Sequence, residues 1–290
     1  MNTLSSIDRS FPAATVKDFA AAYPNDHRAL KHALDHHPLL ELDALADLAE
    51  QLPASAVEYN KGALPIGIRA EDVPENGLSI GETIRRIDEV ASWAVLKHIE
   101  RHPAYAALLH TLLDELKPAI ESVTGPMLRA EGYIFVSSPD AVTPFHFDPE
   151  HNILIQLRGT KYFHVFPGGD PRFAAHQERE RYHAGGHRNI PWQDAFASEG
   201  EVVTLSPGDA IYVPVMAPHF VRNGSAPSIS LSITWRSKWS MDEANAYAFN
   251  ARLRRLGLSP RPPARYPVQN HVRSTAERIL RRVAKRKKGA

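Results

Sequence analysis

The chain of 290 residues contains no cysteine. Disulfides, thiolate nucleophiles, Cys-based zinc sites and iron–sulfur clusters are therefore excluded. It also lacks an excess of charge of either sign. Lys and Arg number 34 against 33 Asp and Glu, a net charge of +1, which provides no general attraction to nucleic acid. No apolar run approaches the roughly 18 residues of a membrane span. The start, "MNTLSSIDRSFPAATVKDF", has no basic region followed by an apolar one, so no secretory signal is read there and the cytoplasm is the default compartment. What is present is histidine, 15 of them, within a composition ordinary for a folded chain (43% hydrophobic, 23% charged).

Three regions follow from the patterning. Residues 1–125 read as a mostly helical region. "HRALKHALDHHPLLELDALADLAEQL" carries apolar residues at helical spacing, and "SIGETIRRIDEVASWAVLKHIERHPAYAALLHTLLDELKPAIESV" does so over a longer span broken at Pro103. Ser79 with Glu82 three residues on forms a capping-box pattern, and "YNKGALPIGIRAEDVPENG" is a Pro/Gly-rich connector with room for a short strand. Residues 126–239 read as a β core. "YIFVSS", "NILIQL", "KYFHVF", "EVVTLS", "DAIYVPV", "HFVRN" and "SISLSITW" are short and alternating, and turn residues separate them. This points to an all-β sandwich or barrel. A polar insert, 168–200, interrupts it and reads as a surface excursion or lid. Residues 240–290 return to helix, with the Pro-rich link "SPRPPARYP" and a basic tail that reads as a solvated helix end, an anionic-partner contact or a dimerising helix.

The chemistry gathers in "TPFHFDPEHNILIQLRGTKYFHVF", Thr143 to Phe166. In extended chain, residues i and i+2 share a face, so His146 and Asp148 offer an imidazole nitrogen and a carboxylate oxygen to one ion. Alone, such a pair arises easily by chance. His219 strengthens it: it follows the turn and strand of "SPGDAIYVPVMAP" and opens "HFVRN", where it can complete a 2-His-1-carboxylate set for Fe(II).

"NILIQL" and "KYFHVF" flank Arg158-Gly159 and read as a hairpin, with Gln156 opposite Lys161, Leu154 opposite Phe163 and Asn152 opposite Val165. On that register Asn152, Leu154, Gln156 and Lys161 share one face, while Tyr162 and His164 lie on the other. Lys161 is then either an exposed strand residue or a buried cation needing a carboxylate, which an anionic cosubstrate would supply. Thr143 and Asn152 would add a hydroxyl and an amide.

These residues resemble the JmjC-type, cupin-fold oxygenases that use Fe(II) and 2-oxoglutarate, and the resemblance implies a double-stranded β-helix, or jelly-roll, for the β core. The match runs over Thr143-Pro-Phe-His-Phe-Asp148, Asn152, "QLRGTKY" to Lys161, and "PGDAIYVPVMAPHFVRN" with Gly208, Asp209, Pro214 and His219. It covers about 132–238, with a weaker likeness in the preceding helices, and is nearest to the hydroxylase branch that includes the asparaginyl hydroxylase of hypoxia-inducible factor. The resemblance implies His146, Asp148 and His219 as iron ligands. It implies Lys161 as partner of the distal carboxylate of 2-oxoglutarate, with Thr143 as its hydroxyl helper and Asn152 as a polar contact. Ser232 matches a polar position near the iron. Another branch holds the cosubstrate with an Arg some ten residues after the distal His; here that region is "SAPSIS", which favours Lys161.

The implied activity is a hydroxylation consuming O₂. Its substrate is a protein or peptide side chain or, alternatively, a small metabolite or natural product. A third reading is a cupin-like binding protein without turnover. No residue of the insert maps onto the resemblance.

Overall fold

The computed structural model describes residues 9–61, 77–265 and 270–288. Most of the connector, the first eight residues and the end of the "SPRPPARYP" link fall outside the described residues.

The alternation in "SISLSITW" shows how the fold is made. On β11 (Ser228–Arg236) Ile229, Leu231, Ile233 and Trp235 point one way, and Ser228, Ser230, Ser232 and Thr234 the other. The apolar side joins a core with helices. The hydroxyl side faces a second sheet. The same division holds on β4 (Leu128–Ser137), with Ile134 and Val136 on the helical side, and on β6 (His151–Arg158), with Ile153 and Ile155.

Two antiparallel sheets result. The larger has seven strands in the order β1 (Arg28–Lys31), β9 (Asp209–Val213), β6, β11, β4, β3 (Ser92–Lys97) and β2 (Val57–Lys61). The smaller has four, in the order β5 (Val142–His146), β10 (His219–Asn223), β7 (Lys161–Val165) and β8 (Glu201–Leu205). Leu154, Phe163, Val165, Leu205, Ile211 and Val221 pack between them. Helices α1 (Ala13–Ala22), α2 (Leu42–Gln51) and α4 (Pro103–Thr124) cover the outer face of the larger sheet through Phe19, Leu45, Leu48, Leu112 and Leu116. The insert, carrying α5 (His176–His183), covers the smaller sheet with Phe173, Ile190 and Phe196 against Phe145, Phe166 and Phe220. Helices α6 (Lys238–Arg255) and α7 (His271–Lys288) end the described chain. No helix among the described residues is long and apolar enough to cross a membrane.

The β core with helices at both ends matches the reading of the sequence, and Ser79 and Glu82 do form a capping box at the start of α3 (Ile80–Arg85). Three local readings do not hold. Arg28–Lys31 is not helix but an edge strand on β9, and helix starts only at Leu42, after the turn at Pro38–Leu40. Ser92–Lys97, inside the long helical reading, is a strand between β2 and β4. Its apolar residues serve two faces, Ala94 and Leu96 toward the helices and Trp93 and Val95 toward the cavity.

The third correction concerns the hairpin. β6 and β7 do not pair. β6 pairs with β11 and β9, whereas β7 pairs with β10 and β8. Gln156 therefore lies opposite Ser230, and Lys161 opposite Asn223 and Leu205. The chain crosses from one sheet to the other at Gly159, whose φ is +69°. A Cβ there would come within 2.2 Å of the Pro227 carbonyl oxygen.

Candidate functional site

A cavity of about 420 Å³ opens between the sheets. Its lining includes all of His146, Asp148, His219, Lys161, Thr143, Asn152 and Ser232. His146 is the last residue of β5, and His219 the first of β10, and the two lie opposite each other in the antiparallel register. Asp148 follows β5, its backbone carbonyl accepting from Met216 N–H at 2.7 Å. That bond ties Asp148 to the link that delivers His219. The link itself is prepared by the Gly208-Asp209 turn: Gly208 takes φ +89°, and the Asp209 carboxylate accepts from Ser206 N–H at 2.9 Å.

His146, Asp148 and His219 each bring one ligating atom within 4.8 Å of the others. Asp148 Oδ2 lies 3.8 Å from His146 Nε2 and 3.7 Å from His219 Nε2. Each imidazole is oriented by a carbonyl. His146 Nδ1 is 2.7 Å from Pro144 O, and His219 Nδ1 is 2.9 Å from Ala217 O. A carbonyl can only accept, so both Nδ1 atoms carry the proton and both Nε2 lone pairs face the cavity. Burial holds both imidazole pKa values down, which keeps them neutral as metal ligands must be. Burial alone would raise the Asp148 pKa, but Arg188 and the two histidines outweigh it and hold the carboxyl well below the usual range. Phe163 stacks beneath His219, at 4.9 Å between ring centroids.

Lys161 occupies another part of the cavity. It is buried, 5% exposed, with Nζ 5.7 Å from the centroid of Phe135. Among the described residues it has no ion-pair partner, and burial pulls its pKa down to about 7. Asn152 and Ser232 form a unit: Ser232 Oγ donates to Asn152 Oδ1 at 2.7 Å, leaving the amide nitrogen for the cavity. Gln156, placed by the sequence on the same face, is instead consumed by structure. Its amide donates to Arg158 O, Gly159 O and Ser228 Oγ and accepts from Ser230 Oγ, securing the crossing between sheets. His164 points away from the cavity and stacks on Phe220 at 4.1 Å.

Sequence reasoning missed part of the lining. The helical reading of β3 hides Trp93 and Lys97, and Glu58 stands on β2 just before the connector. Glu150, paired with Arg236 at 2.8 Å, and Tyr133, donating to Glu131 at 2.6 Å, also line the cavity. Arg188 comes from the insert and donates to Asp148 Oδ1 at 2.8 Å. Nothing in the local sequence marks it, since insert and β5 meet only in the folded chain.

The family model for a cupin-like domain matches residues 79–241. The chain belongs to the cupin-like family. No curated protein matches it. Among solved structures the family member is similar to YcfD of Escherichia coli, with a TM-score of 0.54 at 17% identity over 94% of this chain and 69% of that one. A second structure, of the E. coli ribosomal oxygenase YcfD, gives 0.51 at 17% identity over 92% and 66%. A third, of YcfD with cobalt and 2-oxoglutarate, gives 0.51 at 18% identity over 91% and 65%. This cupin-like chain thus spans about two thirds of the length of those proteins, and at such identity the likeness concerns the fold.

Proposed function

We propose that this cupin-like protein is an Fe(II)- and 2-oxoglutarate-dependent oxygenase that hydroxylates a C–H bond, with a protein or peptide side chain as substrate. The observation that carries the reading is one cavity holding two complementary elements: the His146, Asp148 and His219 set, and the buried Lys161, which has no ion-pair partner among the described residues. The donor set suits Fe(II) because two neutral imidazoles and one carboxylate on one side leave other positions open. The lysine suits an anion because an ammonium without a counter-charge is costly to bury. We assign His146, Asp148 and His219 to the metal, Lys161 and Thr143 to the far carboxylate of 2-oxoglutarate, and Asn152, held by Ser232, to a polar contact beside it.

When bound, iron and 2-oxoglutarate supply the oxidising power, with O₂ as the second substrate. The protein's part is positional. Pro144 O and Ala217 O fix the imidazole tautomers. A carboxylate at Lys161 restores its proton, because an adjacent negative charge raises an ammonium pKa. Phe135, Leu154, Phe163 and Val221 add apolar wall to the cavity that holds the buried Lys161, and a low-polarity surround strengthens an ion pair formed there. The solved YcfD structure with cobalt and 2-oxoglutarate supports the cosubstrate, and the ribosomal oxygenase activity named for that protein supports a protein substrate over a small metabolite. The likeness to the asparaginyl hydroxylase branch rests on the sequence motifs alone, and a cytoplasmic location belongs to the same proposal.

A homodimer through the C-terminal helices forms part of this reading. Helix α7 turns Ser274 and Glu277 toward α6 and leaves Val272, 80% exposed, with Ile279, Leu280 and Val283 on the surface. Ile279→Glu is expected to lower the mass measured by sedimentation to that of a monomer.

The test of the activity is anaerobic addition of Fe(II) and 2-oxoglutarate to the folded protein. A visible charge-transfer band is expected. Its absence would sink the oxygenase reading in favour of a cupin-like binding protein.

A further inference from the structure

The insert, which the sequence reads as a surface excursion or lid, is fixed to the site at several points. Ile190 N–H donates to Phe145 O at 3.1 Å, and Asn189 forms a β-bridge with His146. Ile190 is buried among Phe145, Phe147 and Phe166. On the other side Arg181 Nη2 donates to Asn189 O at 3.0 Å. Helix α5 is itself held by α6, where Asn250 donates to the buried Glu180 at 3.4 Å and Arg254 pairs with the same carboxylate. Arg188 sits inside this anchored loop.

Resting on the metal assignment above, we propose that Arg188 is a positioning residue that holds Asp148 to one-point ligation. The two carboxylate oxygens have different work. Oδ2 faces both Nε2 atoms, at 3.8 and 3.7 Å. Oδ1 accepts from Arg188 Nη1 at 2.8 Å. An oxygen engaged by a guanidinium is withheld from a metal, so Asp148 presents one donor instead of two. That keeps open a position which a chelating dicarboxylate needs.

Charge attraction cannot be the role of Arg188, because a guanidinium beside a divalent cation repels it. Orientation is what remains. Nor is this an ordinary surface ion pair of little consequence. The Arg188 side chain is half-exposed, but that of Asp148 is only 17% exposed, its carbonyl accepts from Met216 N–H, and the residues after Arg188 are tied to β5 through the Asn189–His146 bridge and Ile190 N–H on Phe145 O.

The experiment compares the wild type with Arg188→Met and Arg188→Lys, using circular dichroism to confirm folding and Arg188→Gln as a second neutral variant. Co(II) alone is titrated first and its visible spectrum recorded. Then 2-oxoglutarate is titrated anaerobically into the Fe(II) protein. Arg188→Met is expected to bind Co(II) with an altered spectrum, because the freed oxygen takes up a second position. Its half-saturating 2-oxoglutarate is expected to rise about tenfold, the lower end of the usual effect for groups that orient ligands. Arg188→Lys, which keeps the charge and an N–H donor, should recover most of both signals. Neutral variants with the wild-type Co(II) spectrum and wild-type 2-oxoglutarate titration would overturn the positioning role alone. A folded wild type that binds no Co(II) would overturn both this inference and the function on which it rests.

Discussion

The two polar ends of the cavity are built on opposite plans. At the histidine end every group has an internal partner: a carbonyl behind each imidazole, Met216 N–H on the Asp148 backbone, and Arg188 on its carboxylate. At the lysine end the ammonium is buried against Phe135 and no carboxylate answers it among the described residues. One end is organised before any ligand arrives. The other is left incomplete, so its charge is balanced only by what binds. A buried polar group satisfied from within rigidifies a site, whereas an unsatisfied one stores a preference for a ligand of opposite charge.

The largest expected effect comes from breaking the organised end. His146→Ala or Asp148→Ala should abolish the anaerobic charge-transfer band and all turnover of 2-oxoglutarate. Retention of the band in either folded variant would remove that residue from the metal set.

Next is the incomplete end. Lys161→Ala should weaken 2-oxoglutarate binding about 100-fold, the equivalent of roughly 3 kcal/mol for a desolvated ion pair, measured by calorimetry. An unchanged affinity would place the cosubstrate elsewhere.

A smaller effect concerns pH. The Lys161 pKa is near 7 in the free protein and rises when a carboxylate binds, so binding takes up a proton above that pH. Affinity for 2-oxoglutarate should fall as pH climbs from about 7 to 9, and calorimetry in buffers of different ionisation enthalpy should show the proton uptake. The same shift acts on stability. The folded pKa lies below the unfolded value of about 10.4, so the unfolded chain binds more protons between roughly 7 and 10. Stability of the ligand-free protein should therefore rise with pH across that window, and Lys161→Met should flatten the rise in thermal melts. A slope that survives the substitution would assign it to other groups.

The smallest expected effect is at His164. It stacks on Phe220 outside the cavity, so His164→Ala should leave cosubstrate turnover near the wild-type rate. Loss of turnover with the fold intact would contradict the separation of inner and outer faces on β7.

Much of the site was legible because its signals are local. His146 and Asp148 share a face by strand periodicity alone, and the Gly208-Asp209 turn announces the strand leading to His219. Lys161 lines the cavity and His164 stacks outside it, as alternation along the strand predicts, although β6 and β7 do not pair. Alternation along β7 survives a change of partner strand, so the face was right while Gln156 opposite Lys161 was wrong. A Gly turn between two alternating segments is the same in sequence whether the chain folds back on itself or crosses to a second sheet. β1 and β3 failed for a related reason: strands made by distant partners carry little local mark when they sit among helical neighbours.

The sequence by itself determined the β core, the pairing of His146 with Asp148 on one face and the facing of the lysine, because periodicity and turn chemistry act within a few residues, whereas His219 joins that pair only through the antiparallel register of β5 and β10. Tertiary structure decided which strands pair and that α5 and its loop close over β5. It also brought Arg188 to the second oxygen of Asp148, since residues 40 apart in the chain meet only through packing.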